Sequence, residues 1–151
     1  MAITSAICNS FKQEILVGTH NFTNGTGDTF KIALIKALSA QAGTYDASTT
    51  NYSDVTGNSD ELASGSGYTT GGNTLVSVTP TLSGSTAVCD FANTSWSSAT
   101  FTTRGCIIYN TSDSNKAVMV LNFGADYSVS NGTFTIEFPA ADASNAIIRI
   151  S

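Results

Sequence analysis

The residues that could support catalysis are few and lie far apart in the sequence. His20 is the only histidine, so any Ser/His/Asp or Cys/His catalytic apparatus would have to use it. The chain has no Gly-x-Ser-x-Gly motif, no phosphate-binding glycine loop and no carboxylate pair at a spacing typical of acid–base catalysis. We therefore expect a structural or solvent-exposed role for His20, and we predict that the protein is not an enzyme.

Oxygen donors that could bind a metal ion occur close together at Asp54, Asn58, Asp60 and Glu61. In a calcium-binding loop a glycine and a distal glutamate occupy fixed positions, and both are misplaced here. The cysteines form no Cys-x-x-Cys pair and no Cys/His cluster, so the sequence does not indicate a zinc site. We predict that the protein binds no metal and no cofactor.

The three cysteines, Cys8, Cys89 and Cys106, make an odd number. We expect buried, reduced thiols, because Cys is among the most buried residue types and cytosolic synthesis keeps thiols reduced. The alternative is a disulfide between Cys89 and Cys106, which lie on neighbouring predicted strands. Cys8 would then be left without a partner.

Trp96, the single tryptophan, lies in a Ser/Thr-rich segment that we expect to be a loop before a strand. Its indole could stack on a sugar of a host glycan. We favour a second interpretation, in which it closes the open end of a β-sandwich. Arg104 follows among apolar residues, so we expect it to pair with a carboxylate or to face an interface.

Charge and composition exclude several kinds of partner. The net charge is −5 and the six basic residues are scattered, whereas nucleic-acid binding requires clustered Lys and Arg. No apolar run approaches the roughly 20 residues that a membrane-spanning helix needs, and we expect no cleaved signal peptide. Ser and Thr make up 42 of 151 residues while only 11% are charged, a composition that suits a β protein whose surfaces pack against other subunits.

The elements that must position these residues begin with one predicted helix. Ile3, Ile7, Phe11 and Ile15 recur every four residues, which predicts an amphipathic helix over residues 4–17 within an N-terminal segment 1–18. Its apolar stripe requires a partner surface, because short isolated helices are marginally stable. That partner is either the sheet of the same chain or a neighbouring subunit.

Most of the remaining sequence predicts strands. Alternation of apolar and polar residues with Gly/Asn turns between them predicts an all-β fold, an antiparallel β-sandwich or flattened barrel in one domain, 1–151. Asn131-Gly132 is expected at the tip of a hairpin. We predict core positions at Phe91, Ile107, Leu121, Phe134, Ile136 and Ile148. The seven predicted strands are 29–34, 75–82, 86–93, 101–109, 117–123, 133–138 and 146–150.

The segment 37–66 lacks periodicity and is rich in Ser, Thr, Gly, Asn and Asp, which predicts a long surface loop or an arm that reaches a neighbour. Tyr45 and Tyr52 are candidates to fix this segment in place. Together with the helix stripe, they are the predicted contacts to other subunits or to a particle: Ile3, Ile7, Phe11, Ile15, Tyr45 and Tyr52.

Several phrases of the sequence resemble a family of small virion-associated structural proteins of tailed bacteriophages, many from phages of aquatic hosts. The resemblance implies a structural role in the phage particle and brings no catalytic residues. Segment 37–66 is longer than in similar sequences, so nothing about that segment is transferred. The resembling phrases, in order, are ITSAICNSFKQEILVGTHNF, DTFKIAL, SGYTTGG, WSSATFTTRGCIIYN, LNFGADYSVSNGTFTIEFP and AIIRI.

The resemblance does not define which part of the particle holds the chain. Taken together with the low charge and the all-β pattern, it leads us to expect a capsid decoration or cement subunit, made in the host cytoplasm and located in the virion. Its expected partners are copies of itself, with a trimer favoured over a dimer, and other virion proteins such as the major capsid protein. The alternatives are a tail, collar or fibre component, or a module that binds host glycans through Trp96.

Overall fold

The structure, a computed structural model, describes residues 2–151 and consists mostly of antiparallel strands with one N-terminal helix. The all-β prediction is confirmed. The elements in chain order are β1 (Ala2–Ile3), β2 (Ala6–Ile7), α1 (Asn9–Leu16), β3 (Phe30–Lys36), a short 3-10 helix (Leu38–Ala40), β4 (Thr44–Tyr45), the single-turn α2 (Ser53–Gly57), β5 (Asn73–Thr74), β6 (Ser77–Ser83), β7 (Thr86–Phe91), β8 (Thr94–Asn110), β9 (Lys116–Ile136) and β10 (Ile148–Ile150).

Two antiparallel sheets form the sandwich. The larger sheet has the strand order β2-β9-β8-β3-β5, and the smaller sheet has the order β10-β7-β6. Aromatic side chains join the two layers, because Phe30 of β3 lies 5.8 Å from Phe91 of β7 and Phe22 stacks on Phe30 at 4.3 Å between ring centroids. A separate parallel pair, β1 with β4, closes one side.

The central hairpin β8–β9 is longer than the sequence pattern predicts. Strand β8 extends from Thr94 over 17 residues, so Trp96 lies within the strand, and our placement of it in a loop was wrong. Strand β9 continues over 21 residues through Asn131-Gly132, where we predicted a hairpin tip. Asn131 has a φ of 47°, and this left-handed conformation serves a β-bulge here instead of a turn.

The N-terminal helix is shorter than predicted. It covers only Asn9–Leu16, while Ile3 lies in β1 and Ile7 in β2. Both short strands are fixed by pairing, since Ile3 is in register with Tyr45 and Ile7 with Met119. The helix buries Phe11 against the sheets of its own chain, so the first of the two partner surfaces considered for it is the one observed.

Segment 37–66 is folded onto the body and is not a free loop or arm. Val55 of α2 and Tyr45 of β4 are buried, and Leu62 donates its backbone N–H to Leu34 of β3. Three of the predicted core residues, Phe91, Ile107 and Ile148, are buried. The other three are only partly buried: Leu121, Phe134 and Ile136.

Candidate functional site

The most elaborate polar arrangement surrounds Glu61, which is buried beside β3. Its Oε1 accepts hydrogen bonds from the Tyr68 hydroxyl at 2.7 Å and from the backbone N–H of Gly71 at 2.6 Å. Its Oε2 accepts a hydrogen bond from the Tyr52 hydroxyl. The ring of Tyr52 also stacks on Tyr109 at 4.3 Å, so the carboxylate joins the residue that precedes α2, segment 65–72 and, through this stacking, β8.

Asp60 forms a second internal carboxylate site. It accepts hydrogen bonds from the hydroxyl of Tyr45 and from the backbone N–H groups of Ala42 and Gly43. Burial alone would raise the pKa of Asp60, but these hydrogen bonds outweigh it and hold the pKa below the ordinary value. Both Asp60 and Glu61, considered above as metal donors, are therefore occupied by donors of their own chain.

The tyrosines of these two sites are poor proton donors and acceptors at neutral pH. Burial, followed by the hydrogen bond to the neighbouring carboxylate, raises the pKa of Tyr45, Tyr52 and Tyr68. Burial raises the pKa of Tyr109 to about 12. Within residues 2–151, no group of three or more His, Cys, Asp or Glu side chains is arranged to hold a metal ion. The network has the geometry of a structural clasp.

His20 is also part of an internal chain of hydrogen bonds. Its buried ring accepts a hydrogen bond at Nδ1 from the side-chain amide of Asn110 at 3.0 Å, and Nε2 then donates to Glu14 at 2.8 Å. The same amide of Asn110 donates to Asp28 at 2.8 Å. Because both ring nitrogens are engaged, the histidine connects α1 with the end of β8 and leaves no nitrogen directed at a substrate.

All three cysteines are free and buried. Desolvation raises the pKa of Cys8 and of Cys89 to about 12 and raises the pKa of Cys106 as well. The prediction of buried thiols is confirmed, and Cys89 and Cys106 lie on strands of different sheets. Such thiols are inert because the reactive species is the thiolate.

Trp96 and Arg104 are both accounted for by contacts within the chain. Trp96 is 3% exposed and packs against Tyr68 and Phe134, so its faces are closed to a sugar ring. The glycan-stacking interpretation of Trp96 therefore does not fit this structure. Arg104 donates to the side chain of Asn122 at 3.0 Å and lies 3.7 Å from Asp126, which confirms the predicted carboxylate partner.

The six predicted subunit contacts do not form one surface. Ile3, Phe11 and Tyr45 are buried inside the protomer, so as contacts to another chain these three were wrong. Three others, Ile7, Ile15 and Tyr52, are partly buried against the same core. The four-residue period of the N-terminal segment thus describes inward-facing positions.

One exposed apolar surface, which the sequence pattern did not indicate, lies at an end of the small sheet. We call it the apolar mouth, and it contains Leu82 of β6 and Ile150 of β10. Ile15 of α1 lies across from them, and the exposed Leu16, the last residue of α1, and Val17 follow it in sequence. Leu16 is 86% exposed, Leu82 74% and Ile150 57%. Leu82 and Ile150 both pair with Ala87 of β7, one from each neighbouring strand. Leu82, Ala87 and Ile150 therefore share one face of the small sheet.

A cleft of about 110 Å³ opens at the mouth between Ile15 of the helix and Ile148 and Ile150 of the small sheet. The charged residue of β10, Arg149, pairs with Val88 and therefore points to the opposite face, where it donates to the carbonyl of Ser144. The mouth is consequently formed by aliphatic side chains, which are suited to contact with another apolar surface.

The chain matches no known family profile, no curated protein and no solved structure. In the part of the chain that the structure describes, no helix has the length and apolar character needed to cross a bilayer. The internal clasps and the apolar mouth are therefore the features from which a function must be argued.

Proposed function

We propose that the chain is a structural subunit of a tailed-phage particle, a capsid decoration or cement protein that associates with copies of itself through the apolar mouth. The observation that supports this most directly is the exposure of Leu82 and Ile150 on either side of Ala87, beside a cleft that Ile15, Ala87 and Ile150 line. The resemblance of the sequence to virion-associated proteins supports a structural role in the particle, and it leaves open which part of the particle holds the chain.

The energetic argument is that a lone protomer leaves this surface in water. Burying an aliphatic side chain of this size stabilises an association by about 1.5–3 kcal/mol, before the cost of immobilising the partners. Leu82 and Ile150 lie on one face of the small sheet, and Leu16 and Val17 follow Ile15 of the cleft, so this region supplies apolar residues for the centre of an interface, where charged residues are depleted. We propose a second copy as the occupant, because a chain with 11% charged residues has few charged side chains to desolvate when two copies pack together.

A trimer is the assembly that we favour, since the positions at which capsomers meet often have threefold symmetry. The major capsid protein is then the surface to which the assembled subunits attach. A tail, collar or fibre component would use the same mouth for self-association. The two locations differ in the expected copy number of the chain. A decoration protein would have about as many copies as the major capsid protein, and a tail component would have far fewer.

The mouth is tested by placing a charge in it. Leu82→Glu introduces a carboxylate beside Ala87 of the cleft, and Thr81→Glu is the matched control. Thr81 is also exposed, and its side chain points to the other face of β6. Sedimentation velocity should show an oligomer for the wild type and for Thr81→Glu, and a monomer for Leu82→Glu. A wild type that sediments as a monomer at every concentration would refute the self-association.

The particle location requires a separate measurement. Densitometry of purified virions gives the copy number of the chain, and a particle reconstruction gives its position. Copies distributed over the head, together with reduced particle stability in their absence, are the expected result. Particles that keep normal stability without the protein would rule out the cement role.

A further inference from the structure

An open groove on β9 has a character different from that of the mouth. We call it the aromatic groove, and its volume is about 300 Å³. The residues that line it are Phe123, Tyr127, Phe134, Thr135, Ile136 and Glu137. This volume lies at the lower end of the range of about 300–1,000 Å³ that is typical of small-molecule sites.

The groove exists because β9 is interrupted by a wide bulge. Between the pairs Thr103–Tyr127 and Gly105–Asn122, Arg104 of β8 is the only residue opposite the four β9 residues 123–126. Gly124 permits this with a φ of 85°. The strand thereby curls until the ring of Phe123 lies 6.1 Å from that of Phe134.

The bulge is held in place by contacts outside the groove, so the groove is formed in advance of any ligand. Asp126 accepts a hydrogen bond from the backbone N–H of Leu38 at 3.1 Å and lies 3.7 Å from Arg104. The edge of Phe123 meets Tyr127 at 6.3 Å and 79°, which orients the phenol ring.

The polar groups at the groove are unoccupied by the chain. Tyr127 is 51% exposed and is the one aromatic side chain of residues 2–151 with such exposure. Within the same residues, its hydroxyl has no hydrogen-bond partner, and Glu137 has neither an ion pair nor a side-chain hydrogen bond. On its outer edge β9 pairs only with β2, at Met119 and Val120, so the backbone groups beside the groove are also available.

We propose that the aromatic groove binds a neutral saccharide. A sugar ring has an apolar C–H face that fits an exposed phenol ring, and its hydroxyl groups can donate to the free carboxylate of Glu137 and accept from the hydroxyl of Tyr127. The net charge of −5 and the carboxylate at the groove disfavour acidic sugars and nucleic acid. This site does not depend on the proposed subunit role.

The free edge beside the groove does not favour an added β-strand as the occupant. A strand partner requires an evenly spaced row of N–H and C=O groups. Here the wide bulge at 123–126 and a second bulge at Asn131 interrupt that row, and bulges of this kind protect edge strands from pairing. Discrete hydroxyl groups of a sugar impose no such even spacing.

The test is an NMR titration of the isotope-labelled full chain with neutral probes: cellobiose, lactose, mannobiose and N,N′-diacetylchitobiose. We expect at least one probe to shift backbone amides confined to residues 123–128 and 134–137. Tyr127→Ala and Glu137→Gln should each weaken binding at least about tenfold. Thr133→Ala is the matched control, because this exposed residue of β9 lies outside the groove and should leave binding unchanged.

Three outcomes would overturn the proposal. The first is the absence of shifts with every probe, and the second is a set of shifts located elsewhere in the chain. The third is a Tyr127→Ala variant that dissociates an oligomer while no sugar binds, which would make the groove a contact between copies. The amide spectra of the variants report directly whether each one is folded, and Leu82→Glu separates this site from the mouth.

Discussion

The clasp at Glu61 predicts a large loss of stability when its carboxylate is removed. In the Glu61→Ala variant, the hydroxyls of Tyr52 and Tyr68 and the backbone N–H of Gly71 all lose their acceptor. Each buried donor left without a partner costs about 1–3 kcal/mol. Tyr68 retains one hydrogen bond, since its hydroxyl accepts from the backbone N–H of Leu34 at 3.0 Å.

The simple sum over three donors is about 3–9 kcal/mol. We expect its lower half, about 3–6 kcal/mol in the free energy of unfolding, because water can enter the space vacated by the side chain and satisfy part of the network. Native domains have only about 5–15 kcal/mol in total, so this loss is a large fraction of the stability. Segment 37–72 should open first, since Glu61 connects it to β8.

Urea unfolding followed by circular dichroism measures this loss, and limited proteolysis locates the region that opens. Tyr52→Phe removes one of the three donors and should cost about 0.5–1.5 kcal/mol. Glu137→Ala is the matched control, because this carboxylate is exposed and its loss should change stability by no more than about 0.5 kcal/mol. A Glu61→Ala variant that loses less than about 1 kcal/mol would refute the reasoning.

Three further predictions concern pH, thiols and packing. Asp60→Asn should destabilise the protein at about pH 7, and the loss of stability should be smaller at about pH 3. The reason is that a carboxylate whose pKa is depressed below 3.8 in the fold contributes stability when it is ionised and loses this contribution as the pH falls. Urea titrations in which the loss grows on acidification would contradict this. Cys8, Cys89 and Cys106 should not react with Ellman's reagent in the native protein and should all react in denaturant, whereas a reductant-sensitive dimer band on a gel would contradict buried thiols. Phe134→Ala should lower the free energy of unfolding by about 1–2.5 kcal/mol in urea. This is less than the ~3–5 kcal/mol of a fully buried phenylalanine, because Phe134 is only partly buried. A loss above this range would show that the groove is closed in solution.

The strands were predictable from the sequence where one face is buried. The sequence did not reveal that the predicted strands 117–123 and 133–138 are parts of one continuous strand, β9. Asn131-Gly132 was interpreted as the tip of a hairpin because two-residue hairpin turns require a positive φ. A β-bulge requires the same conformation, and a local pattern cannot distinguish the two. Whether Asn131-Gly132 forms a turn or a bulge is decided by β8, whose 17 residues offer pairing partners along the whole of β9. That information is not local to the turn residues.

The N-terminal error has a related cause. Residues four apart share one face of a helix, and they also share one face of a strand, since four is a multiple of the strand period of two. Ile3 and Ile7 therefore satisfy both patterns, and the outcome is decided by pairing with Tyr45 and Met119, which lie far along the chain. Phe11 and Ile15, within α1, follow the helical interpretation.

The burial of Asp60, Glu61 and Asp90 links the internal clasps to the proposed assembly. The chain has 11 acidic and six basic residues, so these three buried carboxylates leave eight acidic residues to face the basic ones outside the core. Burial keeps these carboxylates out of direct contact with a second copy, while the net charge of the chain stays at −5. The side chains that could have supported chemistry stabilise segment 37–72 from within, and the surfaces left for recognition are the uncharged mouth and the aromatic groove. Recognition by this chain should therefore be governed by apolar contact and hydroxyl chemistry, with only a weak dependence on ionic strength.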